Sequence, residues 1–475
     1  MTKPGAVPRP RRRATETRMF RKVLIANRGE IALRVARACR ELHVRTVAVH
    51  STADRDSAVV RFADEAVQIG PPAPTKSYLN AAAILAAAQQ TNADAIHPGY
   101  GFLSESPDFA DACESLGITL IGPPADVMAK LGDKTSARAV MSEAGLPLLP
   151  GSLDPLGPDQ ARTLAGQIGF PVIIKAAAGG GGRGMQVVHD PDRFVDDYRR
   201  TQAAAQMLFG DSRVYVEKYL EVARHVEIQV LCDNQGRAIH LGERDCTVQR
   251  RHQKLIEETP APRLPEGLAE QMGQAAVAGA LAAGYIGAGT FEFLVAPDGS
   301  HYFMEVNCRI QVEHPVTEAV TGVDLVQEQI RIAAGNPLTL TQDDIRPRGV
   351  AIECRINAED PRAGFAPSPG LIEQFIPAGG PFVRVDTHVY AGYTVPPNYD
   401  SLLAKLIVWA PERDQAIARM QRALAEFQIS GPRIRTTNSF LFTVLAHPRF
   451  QTATHSTSLV EEILDSEAVP VRETG

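Results

Sequence analysis

The chain has 475 residues, a length that allows about three domains. Hydrophobic residues make up 44% and charged residues 22%, the balance of a globular enzyme with a full core. A formal net charge of −6 gives no electrostatic case for nucleic acid or an anionic membrane, and no apolar run approaches the roughly 20 residues of a membrane span.

The six cysteines (Cys39, Cys113, Cys232, Cys246, Cys308, Cys354) show no CxxC and no Cys/His zinc spacing, which predicts a reduced, cytoplasmic protein. Residues 1–19 carry prolines and the run Arg11-Arg12-Arg13 without the apolar core of a signal peptide. They read as a disordered basic tail, with Met19 as an alternative start.

Lys22–Asn27 is a short apolar run, strand-like, followed by Arg28-Gly29-Glu30. Ile31, Val35, Cys39 and Leu42 then recur at helical spacing, and Thr46–His50 is a second strand. This opening is a βαβ unit with a parallel sheet behind it. It lacks GxGxxG, so a nicotinamide or flavin dinucleotide site is not supported. The Gly-rich stretch His97–Glu105 reads as a loop at the edge of that sheet. Leu120-Ile121-Gly122-Pro123-Pro124 punctuates the chain and ends the first domain. Gly132-Asp133-Lys134-Thr135 resembles the tail of a Walker motif, but an Asp intrudes and the upstream glycine is missing, so a P-loop is rejected.

Pro171–Lys175 is an apolar strand that runs into Ala176–Met185, which holds Gly179, Gly180, Gly181, Gly182 and Gly184 with Arg183. Glycines between strands let backbone N–H groups approach phosphate oxygens, because no Cβ intervenes. With Lys175 and Arg183 beside them they predict an anion-covering flap rather than a linker. Glu217–Leu220 and His225–Leu231 are strand-like, and Gly242–Lys254 is dense in polar and charged groups, an anion-site candidate. In Gly289–Val295, Glu292 faces away from Phe291 and Phe293, on the side of Thr290.

The segment from Phe303 to Pro315 carries the most chemistry. Glu305, Asn307, Arg309, Gln311 and Glu313 alternate with Val306, Cys308, Ile310 and Val312. Extended chain puts alternate side chains on one face, so the segment predicts a strand that presents these polar groups to a charged ligand. A solvated edge is the plainer explanation of the same pattern. Beyond Arg348, Val350–Ile356 and Leu371–Ile376 predict strands of a final β-rich domain, closed by a helix at Pro411–Phe427.

Together these segments resemble biotin carboxylase, the ATP-dependent component of the biotin-dependent carboxylases. The resemblance runs from about Phe20 past Leu464. It rests on KVLIANRGEIALR, AIHPGYGFLSE, GDK, PVIIKA with GGGGRGM, EKYLE with RHVEIQVL, ERDC with QRRHQK, GAGTFEFL, QVEHPVTE with TGVDLV, ECRINAEDP and AGYTVPP. It implies an α/β and α+β chain: an ATP-grasp fold with an N-terminal Rossmann-like (pre-ATP-grasp) domain over 20–130, an ATP-grasp domain over 131–342 with a mobile lid at about 149–219, and a C-terminal β-rich domain over 343–465.

The resemblance also implies roles. Lys134 and Lys175 match the ATP-phosphate and base-side contacts, with Gly181 and Gly182 in the lid above the phosphates. Glu217, Lys218 and Leu220 fall where the family reads adenine, His225 and Gln249 near the ribose, and His252 in the nucleotide site. Glu292, Glu305 and Asn307 match the Mg²⁺ ligands, with Mn²⁺ as a substitute. Lys254, Arg309, Gln311 and the Val312 backbone match the bicarbonate cradle, Glu313 the base, and Arg355 the group that steadies the biotin enolate. Each role suits its residue: Mg²⁺ prefers carboxylate oxygens, a guanidinium fork matches a planar anion, and bicarbonate must lose a proton to attack a phosphate. The implied reaction is ATP-dependent carboxylation of biotin by bicarbonate through carboxyphosphate, giving N-carboxybiotin, ADP and phosphate.

Other ATP-grasp ligases that use bicarbonate or acyl phosphates are the nearest alternative, and ECRINAEDP with Arg355 argues for the biotin branch. A non-catalytic nucleotide-binding protein would not need Glu292, Glu305, Lys254, Arg309, Glu313 and Arg355 together. The expected partners are a biotin carboxyl carrier protein, carboxyltransferase subunits and a second copy of the chain, within an acetyl-CoA carboxylase that feeds malonyl-CoA and fatty acid synthesis, or else a propionyl-CoA system. None of the nine methionines adjoins a lysine, and few residues follow Leu464, so biotin is expected on a separate carrier and not on this chain.

Overall fold

In the computed structural model, which describes residues 19–178 and 182–468, the chain opens with a five-stranded parallel sheet. Its strands are β1 (Lys22–Ile25), β2 (Arg45–Ser51), β3 (Glu65–Gly70), β4 (Ala95–His97) and β5 (Thr119–Leu120), in the order β3-β2-β1-β4-β5. Helices cover both faces, which explains why β1 is apolar at successive positions rather than alternate ones. Helix α1 (Gly29–Glu41) follows β1 directly and buries Ile31, Val35 and Cys39, the residues whose spacing predicted it. The order of strands reverses between β1 and β4, the switch point where open α/β sheets form a crevice. The His97–Glu105 loop leaves the sheet there. Asn27 joins the two loops by donating to the carbonyls of Pro98, at 2.6 Å, and Tyr100, at 2.7 Å. Gly99 has φ +64°, and a Cβ there would lie 2.8 Å from the Asn27 amide, so both backbone and space require glycine.

The glycine-rich segment joins β6 (Val172–Ala176) to β7 (Met185–Val188), and with β8 (Val214–Lys218) these form an antiparallel sheet in the order β7-β6-β8. The helices Pro158–Ile168 and Phe194–Phe209 pack on its back and give it a small core of its own. Gly179, Gly180 and Gly181 lie outside the described residues, as does the tail apart from Met19.

An eight-stranded sheet forms the body. It contains β9 (Arg224–Cys232), β10 (Ala238–Arg250), β11 (Gln253–Thr259), β12 (Gly287–Val295), β13 (His301–Asn307) and β14 (Val350–Asn357), with strands Leu402–Ala410 and Val383–Thr387 beyond β14. The order is β13-β12-β9-β10-β11-β14 and then those two, antiparallel throughout. Phe291, Phe293 and Phe303 are buried on one face, and the polar side chains between them are left for the other.

Three expectations need correction. The alternating segment is not one strand to Glu313: β13 ends at Asn307, residues 308–313 are irregular, and Glu313 is the N-cap of the helix His314–Thr321. Pro315 in the first turn of that helix supplies no N–H for a strand ladder but suits a helix start. Leu371–Ile376 is broken into Gly370–Leu371 and Gln374–Ile376, which pair with different strands, Thr394–Val395 and Gln428–Ser430. The helix expected at Pro411–Phe427 spans Arg413–Glu426 but does not close the chain, since Asn438–Ala446, Pro448–Gln451 and Leu459–Ala468 follow it.

Candidate active site

A cavity of about 1010 Å³ lies between the β6–β8 flap and the polar face of the large sheet, and it reaches the switch-point loops of the parallel sheet. Strand pairing puts the acidic groups on that face: Glu292 of β12 is the cross-strand partner of both Glu227 of β9 and Glu305 of β13. Lys254, the second residue of β11, reaches into the same space.

Lys254 is the hub. Its Nζ lies 2.6 Å from Glu227 Oε2, 2.9 Å from Glu292 Oε1 and 2.6 Å from Glu313 Oε1. Burial opposes its charge, but these three carboxylates hold its pKa well above the ordinary lysine value. Glu292 also accepts from Asn307 Nδ2 at 2.8 Å and Gln311 Nε2 at 3.2 Å, and lies 3.1 Å from His225 Nε2. Burial would raise its carboxyl, yet Lys254 and His225 keep it well below the usual range. Glu305 pairs with Lys134. Among the described residues, the tight clusters of His, Cys or acidic donors are His225–Glu227–Glu292 and Glu227–Cys246–Glu313, and Glu305 belongs to neither.

Arg309 works from the irregular segment. Its guanidinium donates to Glu105 Oε2 at 2.9 Å, Gln311 Oε1 at 3.0 Å and Asn307 Oδ1 at 3.1 Å, and Val312 lines the cavity beside it. Arg355 of β14 donates to Glu257 Oε1 at 2.6 Å and Glu313 Oε2 at 2.8 Å. The Glu313 carboxylate therefore sits beneath Lys254 and Arg355, fully buried and off the cavity wall. Burial pushes its pKa up, but Lys254, Arg355 and Arg244 outweigh it and hold the group well below the carboxylate range. Withdrawal of either covering cation raises its affinity for a proton.

Lys134, Lys175, Lys218, Leu220, Gln249 and His252 also line the cavity. Gly182 sits against His252: a Cβ at Gly182 would come within 2.2 Å of the imidazole, and φ is +73°. Glu217, expected in the adenine region, does not present its side chain to the cavity. It is buried beneath the wall, pairs with Arg138, and lies 2.6 Å from Lys175 Nζ. Lys218 donates to the carbonyls of Gly169, at 3.0 Å, and Phe170, at 3.2 Å.

Sequence reasoning missed Glu227, Glu257 and Glu105. The signal for Glu227 was available, since His225, Glu227 and Gln229 alternate in β9 as Glu305 and Asn307 do in β13. Glu257 and Glu105 carried no comparable pattern.

A glycine-linked antiparallel flap facing a second antiparallel sheet, with lysines, carboxylates and an amide lining the cleft between them, defines an ATP-grasp ligase. Residues 19–128 match the biotin carboxylase N-terminal domain, residues 133–341 the ATP-binding domain of the carbamoyl-phosphate synthase L chain, and residues 353–462 the biotin carboxylase C-terminal domain. Biotin carboxylase from Nostoc sp. is 56% identical over 94% of this chain and 99% of its own length. Biotin carboxylase 1 from Bacillus subtilis is 54% identical over 93% and 98%. Among solved structures, the biotin carboxylase–beta-gamma-ATP complex from Campylobacter jejuni gives a TM-score of 0.91 at 46% identity, covering 94% of this chain and 100% of that one. The biotin carboxylase domain dimer of Hydrogenobacter thermophilus 2-oxoglutarate carboxylase, with MgADP, ADP and bicarbonate, gives 0.90 at 48% identity, covering 94% and 98%. The chain belongs to the biotin carboxylase family.

Proposed function

We propose that this chain carboxylates biotin carried on a separate carrier protein, using ATP and bicarbonate, as the biotin carboxylase subunit of a cytoplasmic acetyl-CoA carboxylase. The observation that carries the reading is the Lys254 ammonium, which touches Glu292 on the metal side and Glu313 on the base side, both within 2.9 Å. One cation thus joins the place for a phosphate to the place for a small anion.

Glu292, Glu305 and Asn307 are oxygen donors on paired strands facing the cavity, a set that suits Mg²⁺. Bound there, Mg²⁺ supplies charge neutralisation on the ATP phosphates. Lys134 and Lys175 bind the phosphates, while Gly182 of the flap lies over them. Leu220, His225, Gln249, His252 and the backbone at Glu217–Lys218 hold the nucleoside. Lys254, Arg309, Gln311 and Val312 orient bicarbonate. Glu313 takes its proton once Arg355 or Lys254 withdraws, and Arg355 then turns to the negative charge that develops on biotin. The division 20–130, 131–342 and 343–465 assigns a single role to each domain: the entry crevice, the nucleotide cleft and the biotin-side wall. The biotin carboxylase domain of the Hydrogenobacter carboxylase is a dimer, and we extend a dimer to this chain.

The test is ATP cleavage by the purified chain with free biotin, with and without bicarbonate. Bicarbonate-dependent cleavage that Glu313→Gln abolishes supports the reading, and cleavage indifferent to bicarbonate refutes it. Transfer to acetyl-CoA rather than to a keto acid, with the co-purifying carboxyltransferase, tests the acceptor.

A further inference from the structure

The irregular segment 308–313 carries much of the bicarbonate chemistry, yet its residues up to Val312 have no strand ladder to satisfy their carbonyls. A buried carbonyl without a partner is costly, so something else must hold it. His314 returns its Nδ1 to the Gln311 carbonyl at 2.8 Å. The Val312 carbonyl is held from behind by Lys405, whose Nζ donates to it at 2.8 Å.

Lys405 is unusual in its own right. It sits in the apolar strand Leu402–Ala410 and has 0% exposure. A buried ammonium is tolerated only when paired. Its partner is Glu30 of α1, with Oε1 at 3.1 Å, and Asp386, its cross-strand neighbour, stands 4.0 Å away. Glu30 in turn accepts from the Tyr100 hydroxyl, on the loop that walls the cavity. On its other side Lys405 is the cross-strand partner of Arg355. One side chain therefore links α1, the Val312–Glu313 peptide and the strand beside Arg355, without lining the cavity itself.

We propose that Lys405 is a positioning residue for bicarbonate activation: by holding the Val312 carbonyl it sets where the Val312 backbone and the Glu313 carboxylate lie, and through Glu30 it anchors that setting to the N-terminal sheet. This rests on the reading of Val312 and Glu313 as bicarbonate groups. A charged donor on a carbonyl is stronger than a neutral one, which accounts for a lysine where an amide or water would satisfy the same atom. A lysine with a purely structural role would affect stability and overall turnover without distinguishing the two substrates.

The experiment is steady-state ATP cleavage with free biotin, varying bicarbonate and ATP separately, for the wild type, Lys405→Met and Glu30→Gln. Lys405→Met is expected to raise the bicarbonate KM by about tenfold or more while the ATP KM stays within about twofold. Glu30→Gln keeps the bond to Val312 but frees the ammonium from its anchor, and is expected to raise the bicarbonate KM about threefold with the ATP KM unmoved. If Lys405→Met fails to fold, Glu30→Gln decides the matter. A folded Lys405→Met, or in its absence Glu30→Gln, with a bicarbonate KM equal to the wild type overturns the inference while the function stands. A wild type without bicarbonate dependence removes both.

Discussion

Glu292 and Glu305 stand opposite one another on paired strands, yet each is engaged by a different lysine: Glu292 by Lys254 at 2.9 Å, and Glu305 by Lys134. Two carboxylates side by side repel unless positive charge lies between or beyond them. If Glu292 and Glu305 held a divalent cation together, Lys254 and Lys134 would be free to turn toward bicarbonate and phosphate. Glu305→Gln keeps the shape and removes one charge. ATP cleavage at ordinary Mg²⁺ is expected to fall by about a hundredfold, with partial recovery in excess Mn²⁺. Near wild-type turnover in Glu305→Gln would rule out the shared metal.

Under the proposed roles, Arg355 and Glu313 are expected to separate the two half-reactions. Arg355 covers Glu313 at 2.8 Å and is also drawn to Glu257 at 2.6 Å, so it has a second carboxylate to rest on when it leaves the first. Glu313→Gln is expected to lower bicarbonate-dependent ATP cleavage and biotin carboxylation together, by about a hundredfold. Arg355→Ala leaves Lys254 to hold bicarbonate, so carboxylation should fall at least about tenfold further than ATP cleavage. Parallel losses in both assays for Arg355→Ala would contradict the division.

Much of this site was legible in the residue pattern because strands repeat every second residue and the ligand-facing groups follow that repeat. Glu292, Glu305 and Asn307 are polar among buried phenylalanines, and the chain folds as that pattern demands. Arg309, Gln311 and Glu313 keep the alternation but not the strand. They reach the cavity through an irregular turn into a helix, and the proline that marks the helix start was the cue passed over. Lys405 could not be found this way. In Leu402–Ala410 the residues on both sides of it are buried, so no alternation separates a functional lysine from a tolerated one. Glu217 shows another limit: motif position places the residue in the adenine region but does not tell that Arg138 and Lys175 hold its side chain below the wall.

The contact between Gly182 and His252 predicts how the flap closes. A methyl group at Gly182 meets the imidazole at 2.2 Å and sits on a backbone with φ +73°, so Gly182→Ala cannot keep this arrangement. The ATP KM is expected to rise by about tenfold, while the melting temperature changes little because the flap loop adds little to the core. His252→Ala removes the ring from the path of that methyl, so the double variant should lose less than the sum of the two single losses. Additive losses would show that the two residues do not meet in the nucleotide complex. Hydrogen exchange at residues 182–185 should also slow when an ATP analogue binds.

Glu257 predicts a pH dependence. Burial, with Glu313 nearby, pushes its carboxyl from the ordinary 4.5 up to about 7, against the pull of Arg355 and Lys254. Glu353, its cross-strand partner, is fully buried as well, and burial likewise raises its carboxyl. Between those two pH values the folded chain holds a proton at Glu257 that the unfolded chain has released. Stability from this group is therefore complete below about pH 4.5 and is lost as pH climbs through about 7. Glu257→Gln cannot ionise and mimics the protonated form at every pH. The variant should gain on the wild type in thermal unfolding as pH rises from about 5 to about 8, by about one to a few degrees. The same measurement at high pH bears on the catalytic cycle, because an ionised Glu257 competes more strongly with Glu313 for Arg355. A difference between the two proteins that stays constant with pH, or shrinks, would mean that Arg355 already keeps Glu257 ionised throughout, and that the guanidinium rests on Glu257 as firmly as on Glu313.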